Sequence, residues 1–285
     1  MSITLRQGTP ADAPVCGRIA YEAFKDIAER HNFPPDFQTP EQAVAVLSML
    51  LGHPGFYVVV AETGGRIVGS NAIDERSEIP GIGPITVDPT LQNHRTGRQL
   101  MEHMLERVAA RRCPGVRLVQ SAYHNRSLAL YTKLGFIPRE PLSCVQGPRV
   151  TTRIPGYAVR PASEADLEAC NALCLRIHGH TRSGELLDAI RFNAAMVVES
   201  DGRITGYGTG VAFFAHAVGE SDNDIKALIA AAPSYDGPGF LVPTLNATLL
   251  RWCLEHGLHI VQPMTLMSRG LYNEPQGAFL PSIAY

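Results

Sequence analysis

Basic runs are nearly missing from this chain. None is longer than Arg111-Arg112, and 25 Lys and Arg stand against 27 Asp and Glu, for a net charge of -2. Surfaces for nucleic acid or anionic lipid need clustered cations, so neither partner class is expected. No apolar run approaches the ~20 residues of a membrane helix. Nothing resembling a basic-then-apolar leader precedes Ile3-Thr4-Leu5-Arg6, so a cytoplasmic location is expected. The six cysteines, at 16, 113, 144, 170, 174 and 253, have neither metal nor disulfide spacing. Cys170 and Cys174 share one face of a predicted helix and read as small apolar residues in a reduced compartment. His178 and His180 lack a third ligand nearby, so no metal is expected. Asp222-Asn223-Asp224 reads as a capped helix start rather than a calcium loop.

Core-forming residues are ample. Hydrophobic content is 45%, and 285 residues suggest about two domains. The most informative stretch is Gly83 to Met101. Gly83 to Asp88 is apolar and β-branched, a buried strand ended by Pro89. Gln92 to Gly97 is a polar loop. Leu100, Met101, Met104, Leu105 and Val108 then recur at helical spacing. A strand, a tight loop and a helix N-terminus in that order suit a diphosphate, because free N–H groups and the helix dipole face the loop.

The hexamer Gln92-Asn93-His94-Arg95-Thr96-Gly97 resembles the pyrophosphate loop of the GCN5-related N-acetyltransferases, with Arg95 where the family has glycine. A second segment, with Asn125, Leu128, Tyr131, Gly135 and Phe136, is similar to that family's next motif. The expected element order over residues 1–147 is β-α-α-β-β-β-α-β-α-β, that of the acetyltransferase fold. Residues 148–155 read as a linker. The second half repeats the first. Arg6, Ala11 and Asp12 recur as Arg160, Ala165 and Asp166; Glu62, Gly65, Arg66, Ile67 and Gly69 as Glu199, Gly202, Arg203, Ile204 and Gly206; Asn125, Tyr131 and Gly135 as Asn246, Trp252 and Gly257. The offset shrinks twice, so the second copy has lost residues, including the phosphate-loop region. There Glu220, Asp222 and Asp224 would repel a diphosphate. The expected class is therefore α/β (α+β): two tandem acyl-CoA N-acyltransferase folds, each a mixed, mostly antiparallel sheet flanked by helices. Residues 1–147 would form the catalytic domain and 156–285 a degenerate one.

Acetyl transfer to an amine needs the amine deprotonated and benefits from a proton on the leaving thiolate. The resemblance implies acetyl-CoA as co-substrate. It puts the backbone of Ile85, Thr86 and Val87 on the pantetheine arm and Gln92, Asn93, His94, Arg95, Thr96, Gly97 and Arg98 on the diphosphate. It puts Asn125 and Leu128 beside the cofactor, and Tyr131 near the sulfur as general acid. Arg95 brings a Cβ that crowds the loop and a cation that pairs with phosphate, so binding is expected to be weakened but kept. For the base, Asp74, Glu75, Tyr123 and His124 are candidates. The acceptor is a small-molecule or peptide amine, and a homodimer is left open. The alternative is a non-catalytic acyl-CoA sensor or interaction scaffold. The apolar tail from Leu271 to Tyr285 is expected to fold back onto the first half.

Overall fold

The computed structural model describes residues 3–91 and 95–285. In the first half these form β1 (Thr4–Gln7), α1 (Ala13–Arg30), α2 (Pro40–Gly52), β2 (Phe56–Thr63), β3 (Arg66–Asp74), β4 (Gly81–Val87), α3 (Thr96–Ala110), β5 (Gly115–Ser121), α4 (Asn125–Lys133) and β6 (Ile137–Gln146). The order is the one the sequence predicts. In the second half are β7 (Ala158–Pro161), α5 (Leu167–His178), α6 (Ser183–Arg191), β8 (Met196–Ser200), β9 (Arg203–Gly208), β10 (Ala217–Gly219), α7 (Asp222–Ala231), β11 (Phe240–Pro243), α8 (Ala247–Glu255), β12 (His259–Gly270) and β13 (Ala278–Leu280). No helix among the described residues is long and apolar enough to cross a membrane.

The local signals behind these elements are ordinary ones. Pro at the first turn and an acceptor at the N-cap open both α2, after Thr39, and the short turn before α1, after Thr9. A Thr63–Arg66 closure turns β2 into β3 through Gly64 and Gly65. Arg6 then ties β1 to Asp12 through two hydrogen bonds of 2.9 Å and to Glu62 at 2.8 Å. The second copy reproduces this with Arg160, Asp166 and Glu199 at 2.8, 2.8 and 2.9 Å. Thr9 and Ser163 cap the same carboxylates. An ion-pair corner repeated with this geometry is the structural counterpart of the sequence repeat.

Where the halves meet, the strands interleave. One sheet runs β1-β2-β3-β4-β5-β12-β6-β11 and the other β13-β10-β9-β8-β7. β12 of the second half lies between β5 and β6 of the first, and β6 lies between β12 and β11. The first half's last strand, β6, and the second half's long β12 thus cross between the halves. The linker after Gln146 divides the sequence, but the eight-stranded sheet runs across that division. Met264, Leu266 and Met267 of β12 are buried, and Met267 joins the first half's core with Val116 and Leu118. Every ladder between named strands is antiparallel except the single β4–β5 pairing of Gly81 with Arg117.

That exception shapes the first half. Beyond Gly81 and Arg117, β4 and β5 diverge. In the second half the edge of β10 corresponding to the open edge of β4 is covered: β13 pairs along it, Ala217 with Leu280 and Gly219 with Ala278. The tail thus fills its own half's gap with β13, and beyond it Ala284 lies against Gly81 and Tyr285 under Arg117 of the first half.

Candidate functional site

Opposite Asn71 and Ile73, β4 carries an extra residue, since Asn71 faces Ile85 and Ile73 faces Ile82. The bulge sits at Gly83, whose φ of 145° is a region that side-chain-bearing residues avoid. It turns Ile82–Val87 so that one edge of β4 meets no strand and lines a cleft of about 1140 Å³. An unpaired strand edge offers alternating N–H and C=O groups to an extended ligand that carries amides.

α3 begins at one end of that edge. Its first turn has N–H groups without intrahelical partners, and Thr96, Gly97 and Arg98 line the cleft. Thr96 is 2% exposed, yet its hydroxyl has no hydrogen-bond partner among the described residues. That orphaned donor beside a positive helix end suits an anionic group. Arg95 precedes the helix in a left-handed conformation, φ 64° and ψ 4°, which explains why glycine suits the position. For an L-residue this costs about 1–2 kcal/mol. The helix is held regardless: Leu100, Met101, Met104 and Val108 are buried, and each contributes about 1.5–3 kcal/mol.

Tyr131 and Asn125, both on α4, also line the cleft. Tyr131 is 6% exposed and packs edge-on to Phe136 at 6.2 Å. Burial raises its phenol well above the usual value, so it carries its proton at neutral pH. The cleft thus gathers Ile85, Thr86, Val87, Arg95, Thr96, Gly97, Arg98, Asn125 and Tyr131. Leu128 does not join them; it packs against the core cluster of Leu100, Met104 and Val116. Gln92, Asn93 and His94 lie outside the described residues.

The candidate bases fare differently. Asp74 is held by Arg76 at 2.9 and 2.6 Å, and Glu75 by Arg107 at 2.6 and 3.0 Å. Neither lines the cleft, so the expectation of a base there is corrected: both are structural ion pairs. The Tyr123 hydroxyl donates to Gln262, and burial raises its pKa, which makes it a poor proton acceptor. His124 does line the cleft, but burial, Arg126 and His31 pull it down to about 4. Its imidazole is neutral but weakly basic.

Sequence reasoning missed Asp36. It lies on the α1–α2 connection, lines the cleft, and accepts a 2.7 Å hydrogen bond from Gln262 Nε2. Burial pushes its carboxyl up to about 6, against the lowering effect of that bond. No local pattern marks Asp36, which stands in a polar loop after Pro34 and Pro35. Gln262 offered a faint signal, as a polar residue in an apolar strand; it is fully buried. The opposite wall, with Phe213, Phe214 and Met264, comes from the second half.

Among the described residues no three His, Cys, Asp or Glu converge as a metal site. His178 and His180 are buried, 5.9 Å apart between ring centres, and burial lowers both pKa values. Asp222 opens α7, where Ser221 is the N-cap and Asp224 completes the capping box.

Residues 21–136 match the model of the acetyltransferase (GNAT) family. No curated protein sequence matches the chain. Among solved structures, an acetyltransferase-assigned protein from Pyrococcus horikoshii is 18% identical with a TM-score of 0.73, covering 96% of this chain and 91% of its own. The GCN5-related N-acetyltransferase from Sphaerobacter thermophilus is 15% identical with a TM-score of 0.60, covering 95% and 96%. At such identities the likeness is one of fold, and it extends over both halves. The bulged β4, the splay beside it and the α3 N-terminus all fall inside residues 21–136, the segment that matches the GNAT acetyltransferase model.

Proposed function

We propose that this protein is an acetyl-CoA-dependent N-acetyltransferase that acts on a primary amine, with Tyr131 as general acid. The observation that carries the reading is the open edge of β4, which runs from the bulge at Gly83 to the N-terminus of α3 within one cleft. The backbone of Ile85, Thr86 and Val87 would take the amides of the pantetheine arm as an added strand. Thr96, Gly97 and Arg98 would face the diphosphate, with Arg95 supplying a further cation. Asn125, at the start of α4, would hydrogen-bond the same arm.

Acetyl-CoA supplies an activated carbonyl, and the chain supplies position and protons. Fixing both reactants is worth roughly 7–11 kcal/mol of the barrier. A backbone N–H near Val87 would stabilise the oxygen as charge develops on it. The amine nitrogen forms a C–N bond as the C–S bond breaks. Tyr131 gives its proton to the departing sulfur and regains one as the nitrogen sheds its own through the cleft. The acyl acceptor leaves as an amide and the coenzyme as a thiol, and the proton released to solvent is the one the ammonium loses before attack.

The test is to titrate acetyl-CoA by calorimetry and then follow thiol release with a panel of amines. Saturable binding with amine-dependent release supports the reading. Binding without release on any amine would instead mark a non-catalytic acyl-CoA sensor, and absence of binding would remove both.

A further inference from the structure

Two carboxylates line the cleft among the described residues, Asp26 and Asp36. Asp26 is neutralised on its own helix by Arg30 at 2.8 Å. Asp36 has no cation within ion-pairing distance among the described residues; its partner is the neutral amide of Gln262. A half-buried carboxylate without a counter-ion, facing a cleft, is a place prepared for one. Its other oxygen remains for a ligand.

The site around it is built, not loose. Gln262 is fully buried and is oriented from behind by the Tyr123 hydroxyl at 3.0 Å, so its Nε2 must face Asp36. Tyr123 in turn stacks on Phe33 at 4.3 Å and 11°, which pins the α1–α2 connection over the end of β5. That is where β4 and β5 stand apart, beside Ser121 and Met264. The flanking walls are apolar. Phe24 and Phe37 form an edge-on pair at 5.9 Å from the first half, and Phe213 and Phe214 another at 6.0 Å from the second.

We infer that the acceptor is a primary amine carried on an apolar or aromatic body, that Asp36 binds its ammonium and takes its proton, and that Gln262 of the second half is the positioning residue that holds Asp36 for this. This rests on the acetyltransferase reading above. The ammonium gives one proton to the Asp36 carboxylate, which frees the lone pair that attacks the thioester carbon. Asp36 later returns that proton to solvent, which is the proton released overall. The second half thus acts through one buried amide and two aromatic rings, without a coenzyme site of its own.

The experiment compares thiol release with phenethylamine, benzylamine and hexylamine against spermidine, lysine and kanamycin, and records kcat/KM against pH. The expected result is at least a tenfold preference for the apolar amines, with kcat/KM falling as pH drops through about 6. The other titratable and charged groups lining this cleft are Asp26, Arg30, His31, Arg95, Arg98, His124, Arg126, Tyr131 and Lys133, with Tyr123 and Cys144 beside Asp36; burial pushes the Cys144 thiol up to about 12 and His124 down to about 4. Asp36→Asn, which is nearly isosteric, should keep acetyl-CoA binding, lose roughly 10²–10⁴-fold in kcat/KM and lose the acid limb. Gln262→Met should move that limb to higher pH and lower the rate above it less than Asp36→Asn does, a split that simple loss of packing would not make. Preference for the polar amines, or an acid limb unchanged in Asp36→Asn, overturns this inference alone. Failure to bind acetyl-CoA, or binding with no release from any amine, overturns the parent reading with it.

Discussion

Gln262 Nε2 donates a 2.7 Å hydrogen bond to Asp36 Oδ1, joining the last long strand of the second half to the α1–α2 connection of the first. The two residues stand 226 positions apart in the chain. Their contact exists because β12 is threaded between β5 and β6. A second half whose own sheet edge is covered therefore still forms part of the first half's cleft.

Tyr131→Phe removes the assigned acid and keeps the ring. Since a thiolate of ordinary pKa ~8.5 leaves tolerably well unprotonated, kcat should fall toward the lower end of the roughly 10²–10⁴-fold range for general acids. KM for acetyl-CoA should hardly move. Steady-state thiol release checks this, and full turnover in the variant would dismiss the role.

Arg95→Gly relieves a left-handed arginine but loosens the unfolded chain. The two effects oppose each other, so stability should stay within about 1 kcal/mol of the parent. Coenzyme affinity should drop severalfold, and the deficit should shrink at high salt as charge pairing is screened. Calorimetry at two ionic strengths measures it. Tighter binding in the glycine variant would mean that the side chain obstructs the loop.

Gly81→Ala places a Cβ where Ala284 already has its carbonyl oxygen, 1.8 Å away. Backbone cannot yield as a flexible side chain can, so the tail must leave the base of the splay. The cost should be at least about 1–3 kcal/mol, as for overpacked cores. A lowered urea midpoint, with faster hydrogen exchange at residues 281–285, is the expected outcome.

Acid should weaken the two copies at the same corner. Arg6 holds the Asp12 carboxyl well below the usual range, and Arg160 does the same for Asp166, with Thr9 and Ser163 adding hydrogen bonds. A folded pKa below the unfolded one means that the stabilisation is complete above pH ~4 and fades as pH falls below it. Both arginines are partly exposed, which screens the effect. Urea midpoints at pH 6 and pH 3 should separate more in the parent than in an Asp12→Asn, Asp166→Asn double variant. Equal separations would contradict this.

Much of the architecture is legible in the chain because it is local. Pro and Thr at helix starts, Gly64 and Gly65 in a hairpin, helical spacing from Leu100 to Val108, and the repeated Arg–Asp corner each depend on residues close together in sequence. These fixed the element order, the internal repeat and the position of the open β4 edge. Burial and pairing between distant strands are not local. Asp74 and Glu75 looked available in sequence, and only Arg76 and Arg107 folded beside them made them structural. Leu128 lay within the motif, yet its helix face turned it to the core.

The sequence by itself determined two acetyltransferase-like halves, because turn, cap and periodicity signals act over a few residues and survive duplication. Only the tertiary structure decided that β12 is threaded between β5 and β6, that β13 closes one gap while the other stays open, and that a buried glutamine aims Asp36 into the cleft. Those outcomes depend on which strand edges remain unpaired once both halves are folded, and an unpaired edge is a property of the whole sheet, not of any residue in it.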